Sequence, residues 1–152
     1  MTDPTICHRD AFYVLGIQDR ANPMEVDYAA FWARFEERAA EIRPLAAEPA
    51  AYGVYFPTDE TGLVEVFGGM AAPAGVDVPE GLVLRQVPAA EYAVFECAID
   101  TIGPTWNTIL EEWLPASEYE THPTRAAFEY FRPGCHEGTV PVQIFHPIRK
   151  KP

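Results

Sequence analysis

The sequence predicts an α+β domain in which duplicated β-α-β-β units form one antiparallel sheet, with two helices on one face and a ligand cleft on the other. Three observations carry that expectation. Aromatic and β-branched runs alternate with two amphipathic stretches in the order β-α-β-β, and this order occurs twice. A connector rich in Pro and Gly (Pro73, Gly75, Pro79, Gly81) divides the chain near its midpoint. The 152 residues, 48% of them hydrophobic, suffice for one domain with a real core. The expected repeats run over about 1–78 and 82–148, some 79 residues apart if Tyr13 matches Tyr92.

A first strand is expected over 5–18, strongest at Ala11 to Ile17. A helix follows, with Asn22 as N-cap, Pro23 at the first helical position and Glu25 completing a capping box. Met24, Tyr28, Phe31, Phe35, Ala39 and Ile42 form its apolar stripe, and Pro44 ends it. Residues 51–56 and 63–69 read as a hairpin with a longer loop. In the second half, 82–99 is extended and interrupted at Pro88, and 92–97 is its stronger part. Thr101 caps a second helix whose face carries Ile102, Trp106, Ile109, Leu110 and Trp113, and Pro115 closes it. Residues 117–124 read as irregular and acidic, and 127–132 and 140–148 as the last strands.

Several function classes have no residues to stand on. Ser117 is the only serine and lies outside any G-x-S-x-G elbow. Lys150 and Lys151 are the only lysines, so there is no Walker lysine, and no G-x-G-x-x-G follows a strand. Cys7, Cys97 and Cys135 are too widely spaced for a zinc box or a disulfide framework, and free thiols fit a reducing compartment. No metal or cofactor is expected. The net charge of −12 argues against direct nucleic-acid binding and favours a cationic partner. No apolar run approaches the ~20 residues of a membrane span, and the N-terminal residues lack a signal-peptide core, so the expected location is the cytoplasm.

Phe128-Glu129-Tyr130-Phe131 is the expected functional centre. It sets a carboxylate in an aromatic strand, and strand alternation turns Arg132 to the opposite face. A carboxylate in an apolar wall is costly without a partner, and a cationic ligand is one such partner. A solvated strand-edge Glu is the plain alternative. Candidate wall residues are Tyr52, Phe67, Trp106, Phe131 and Phe145, with Trp32, Tyr55 and Tyr119 behind them. For each aromatic, ordinary core packing is the alternative. Glu65 shares a face with Phe67, Glu96 is a weaker candidate of the same kind, and His146 is placed to tune Glu129 or to bond a ligand.

Taken together, Tyr13 to Ile17, the Phe31-Trp32 helix, Tyr52 to Phe56, Tyr92 to Glu96, the Trp106 helix, Phe128 to Phe131 and Val142 to Ile148 resemble the GyrI-like effector-binding domain, also found in AraC- and MerR-type multidrug regulators. The resemblance runs nearly the full length. It implies a pseudo-twofold pair of β-α-β-β units, a drug-binding cleft between them, and a buried glutamate, here Glu129, as counter-ion for lipophilic cations. The chain departs from the pattern at Phe131, where the family often has tyrosine, and at His146, where it often has an aliphatic residue. A stand-alone domain is expected, because the sequence opens on its first strand. The resemblance leaves three functions open: a binding protein for cationic or planar aromatic compounds, a hydrolase of cyclopropane-bearing electrophiles with Glu129 as general base, and a topoisomerase-inhibiting interaction protein.

Overall fold

The computed structural model describes residues 3–152. In chain order the main elements are β1 (Thr5–Arg9), β2 (Phe12–Ala21), α1 (Tyr28–Ile42), β3 (Ala51–Pro57), β4 (Val64–Ala72), β5 (Val83–Val87), β6 (Ala90–Cys97), α2 (Ile102–Thr108), β7 (Tyr119–Thr121), β8 (Ala127–Phe131) and β9 (Val142–Lys150). The sheet runs β1-β6-β9-β8-β3-β4-β2-β5, with the short β7 added on β9. Every pairing is antiparallel. The strand order is a palindrome: β6-β9-β8 from the second half meets β3-β4-β2 from the first, and the flanking strands β1 and β5 are exchanged between the halves.

The expected first strand is two strands, broken at Asp10 and Ala11, and the stretch from 82 is likewise two, broken at Pro88 and Ala89. These breaks shape the whole sheet. β1 and β2 stand first and seventh in strand order, which in a flat sheet is about 29 Å at the usual strand spacing. Three Cα steps from Arg9 to Phe12 reach only about 11 Å. Val87 and Ala90 impose the same condition on β5 and β6. The sheet therefore curls until its ends approach, and one face becomes an interior.

That interior holds Val14, Tyr52, Val54, Phe56, Phe67, Val87, Tyr92, Phe128 and Phe145. Phe128 and Phe145 stack at 4.4 Å, and Phe12 reaches Phe128 at 5.6 Å across the curl. Each fully buried side chain of this size stabilises the fold by ~1.5–3 kcal/mol. The Arg9 guanidinium enters the same space, 4.0 Å over the Phe12 ring, and donates to Tyr52 Oη at 2.7 Å.

Both helices lie on the other face, as expected. Phe31, Phe35, Ala39 and Ile42 of α1 cover Leu15, Ile17, Val66 and Met70. Ile109 and the partly buried Trp106 and Trp113 cover Ala93, Phe95, Ile144 and Ile148. Helix α1 starts later than the sequence suggests. Asn22 and Pro23 make a turn instead, with Met24 N–H on Asn22 Oδ1 (2.9 Å), and Asp27 is the N-cap, accepting from Ala30 N–H at 3.1 Å. Met24 is consequently 84% exposed and outside the stripe. After α2 the helix widens into a π turn, Ile109–Trp113, which adds a residue to the turn and rotates Leu110 outward to 46% exposure. Thr101 stands at the N-cap of α2 without capping through its side chain. Its hydroxyl serves Ala98 instead. Alternation puts Tyr13 on the helix side and Tyr92 inside the curl, so the two are not equivalent positions.

Glycines allow the tightest strand approach. A Cβ on Gly16 would lie 2.0 Å from the Gly68 carbonyl oxygen and 2.6 Å from Gly69 Cα, against β4 backbone that cannot yield. Gly16→Ala is expected to cost at least ~2–3 kcal/mol. Gly75→Ala, with nothing within 4 Å and no positive φ, should change stability by under about 1 kcal/mol. Urea unfolding midpoints of the two variants check this.

Candidate functional site

Glu129 lies on β8, opposite Gly53 of β3 on one side and Ile144 of β9 on the other. Alternation turns Phe128 and Tyr130 into the curl and Glu129 and Phe131 toward the helices. The carboxylate is 6% exposed, and helix and sheet both supply donors to it. Trp106 Nε1–H of α2 donates to Oε2 at 2.8 Å, and the Tyr55 hydroxyl of β3 donates to the same oxygen at 3.2 Å. Among the described residues, Oε1 accepts no hydrogen bond and no Lys, Arg or His forms an ion pair with Glu129. Arg132 points away, over Tyr130, and Arg125 is held by the Ala89 carbonyl. Burial raises the carboxyl pKa above its ordinary value, opposed by the bonds from Trp106 and Tyr55. The Tyr55 phenol is pushed well above its usual range, first by burial and then by the adjacent carboxylate.

The volume beside Oε1 exists because residue 53 has no side chain. A Cβ there would stand 3.2 Å from Glu129 Oε1, 3.4 Å from Trp32 Cζ2 and 3.5 Å from Phe131 Cε2. Gly53 pairs in turn with Gly68, whose Cβ would meet Phe31 and Trp32. Two neighbouring glycines thus form a floor, walled by Phe131 and Trp32, whose rings meet edge to face at 5.6 Å. Trp106 closes the far side, 6.2 Å from Tyr55 and 5.8 Å from His146.

Of the residues expected at a site, the structure brings together Glu129, Phe131, Trp106 and His146. It separates Tyr52, Phe67, Phe145 and Glu65, which point to the other face. Tyr52, Phe67 and Phe145 are interior core, and Tyr52 bonds Arg9 and Glu48. Glu65 is near Arg85, whose guanidinium lies 3.8 Å over Phe56. Glu96 takes a bond from Gln143 (3.1 Å) on that same face. The face expected to carry the cleft is therefore filled, because the two short links close the sheet around it. The carboxylate instead looks out between the helices. Trp32 and Tyr55, expected behind the wall, stand at the front. The sequence does hold a signal for Tyr55: it shares the parity of Gly53, and a glycine in a strand marks a close approach.

His146 is 4% exposed. Its Nε2 bonds Thr121 Oγ1 at 2.8 Å, and its Nδ1 has no partner among the described residues. Burial lowers its pKa to about 4. An unfolded histidine titrates near 6.5, so below that pH the unfolded chain takes up a proton the folded chain refuses. Stability from this group is full above pH 6.5 and falls progressively toward pH 4. His146→Leu should remove on the order of 3 kcal/mol of that acid loss. The check is unfolding free energy of both proteins between pH 7 and 4: parallel curves would show that His146 does not cause the loss.

Comparison with known proteins gives a consistent picture. The model of the GyrI-like small molecule binding domain matches residues 2–149. Transcriptional regulator BrlR of Pseudomonas aeruginosa is 33% identical over 90 residues, which is 59% of this chain and 33% of that regulator's length. The structure of SAV2435 bound to tetraphenylphosphonium superposes with a TM-score of 0.81 at 15% identity, covering 97% of this chain and 94% of that one. A putative transcription regulation protein from Staphylococcus aureus MU50 gives a TM-score of 0.79 at 14% identity, covering 98% and 99%. These two likenesses concern the fold alone.

Proposed function

The chain belongs to the GyrI-like small-molecule-binding family, and from that premise we propose that it receives a lipophilic organic cation on its helix-bearing face, with Glu129 as counter-ion. One observation carries the reading: a buried carboxylate with one oxygen free and, among the described residues, no cation of the protein paired with it. Isolated burial of this kind is costly, and Trp106 and Tyr55 offset only part of it. A bound cation would supply a charge partner, while Trp32, Phe131 and Trp106 would offer aromatic faces at ~0.5–2 kcal/mol each. The presence of tetraphenylphosphonium in SAV2435 supports the ligand class. In this reading the domain is an effector sensor of the kind that bacterial regulators carry, which the match to BrlR supports.

A second reading rests on the same carboxyl. Raised pKa and two fixed donors suit a general base acting on water, as a hydrolase of strained electrophiles would need. Turnover of a cyclopropane-bearing alkylating compound, abolished by Glu129→Gln, would favour it. Slow stoichiometric binding without product would exclude it.

Glu129→Gln separates charge from shape. The amide oxygen can accept from both Trp106 and Tyr55, so the fold should survive. Because the folded chain holds Glu129 with a raised pKa, ionisation above that pKa costs stability relative to the unfolded chain. Removing the charge should raise the melting temperature of the ligand-free protein at pH 7.5. It should weaken binding of tetraphenylphosphonium roughly tenfold to a hundredfold, the loss of a charge-assisted contact of ~1.5–3 kcal/mol. Binding of a neutral planar aromatic should change by less than about threefold. Calorimetric titration of both ligands tests this, and equal losses for the two would remove the counter-ion role.

A further inference from the structure

The glycine floor beside Glu129 is covered, and what covers it is one side chain. The Trp32 indole lies across Gly53 and Gly68, its Cζ2 and Cζ3 at 3.4 and 3.3 Å from where their Cβ atoms would be. It reaches the same volume as Glu129 Oε1, since both approach the missing Gly53 side chain. Three rings hold it there edge to face: Phe35 at 5.4 Å, Phe131 at 5.6 Å and Phe31 at 6.0 Å. Yet Trp32 is only partly buried, and its Nε1–H bonds nothing among the described residues. It is pinned by packing alone, on the solvent-facing edge of α1. A tryptophan elsewhere in the site contrasts with it: Trp106 is fixed by its bond to Glu129.

We infer that Trp32 is the gate of the site and its selector of ligand size. It occupies the space a flat ring needs against the glycine floor, and it must turn outward before a bulky cation can reach Glu129. The inference rests on the cation-binding reading and adds an order of events to it. Opening precedes binding, so the observed association rate levels off at the rate of opening as ligand rises. The closed population also lowers apparent affinity by the open fraction. Small cations need less of the floor and feel the gate less.

The test is stopped-flow fluorescence with tetraphenylphosphonium and with tetramethylammonium on the wild type, Trp32→Phe and Trp32→Ala. Trp32→Phe keeps a ring against Phe35 and Phe131 and guards against a folding failure of Trp32→Ala. In the wild type the rate with tetraphenylphosphonium should reach a plateau. In the variants the plateau should vanish or rise at least tenfold, with the effect on tetramethylammonium under threefold. Cation binding by the variants when the wild type binds none would also support the gate. A linear rate in the wild type, an unchanged plateau in the variants, or no binding by any of the three proteins would overturn it. Adding Glu129→Gln to Trp32→Phe separates the two ideas. If that change leaves cation affinity intact while the plateau is still lost, the counter-ion reading fails and the gate stands.

Discussion

Asp10 and Ala11 join strands that stand at nearly opposite ends of the sheet, and Pro88 and Ala89 do the same from the other half. Those two links force the sheet to curl, and everything else follows from which face is enclosed. Alternation along each strand then sorts side chains with no intermediate option. Tyr52, Phe67, Phe128 and Phe145 fill the enclosure, while Gly53, Tyr55, Gly68 and Glu129 go to the outer face. Because the interior carries a complete core of its own, the outer face needs covering only where the helices lie, and the strip between them is left to glycines and one carboxylate.

The energetics of that strip run against stability. Moving an ionised carboxylate out of water costs several kcal/mol after relaxation. Two donors, the Trp106 indole and the Tyr55 phenol, return on the order of 1.5–3 kcal/mol each at best, since they bond a charged acceptor. Two strand-interior glycines each add a further ~0.5–1 kcal/mol of lost backbone freedom. The carboxyl pKa remains raised despite those two bonds, so they offset only part of the burial cost. Such a concentration of unfavourable choices in one place is the physical ground for the binding role proposed for it.

Much of this was legible in the chain. Periodicity gave α1 through Phe31, Phe35, Ala39 and Ile42, and composition gave β3, β6 and β8 within a residue or two. Glu129 stood out as a carboxylate in an aromatic strand with little nearby to neutralise it, and among the described residues no ion pair reaches it. What was not legible is register. Sequence shows that Tyr52 and Tyr55 lie on opposite faces of one strand, but not which face meets Glu129; only the pairing of Gly53 with Glu129 decides it. The break at Asp10-Ala11 was missed because the flanking residues are equally good strand formers, and closure of the sheet was missed with it. Leu110 was misplaced because a π turn has no clear sequence mark. Met24 was misplaced because Asn22-Pro23 suits a turn as well as a helix start.

The exchanged flanking strands also bear on how the molecule is made. β1 leaves the ribosome ahead of the domain's other strands, yet its sheet neighbour is β6, which is synthesised only after the whole first half. β2 likewise waits for β5 to cover its outer edge. Neither half can bury its interior aromatics alone, so the N-terminal half emerges as an open sheet with Phe12, Tyr52 and Phe67 uncovered and its edge unpaired. Two nascent copies in that state offer each other the very strand each lacks, and the shape they would close into is a strand-exchanged dimer of half-molecules. The covalent link through residues 73–82 keeps that exchange within one chain: it holds the second half at a high effective concentration beside the first.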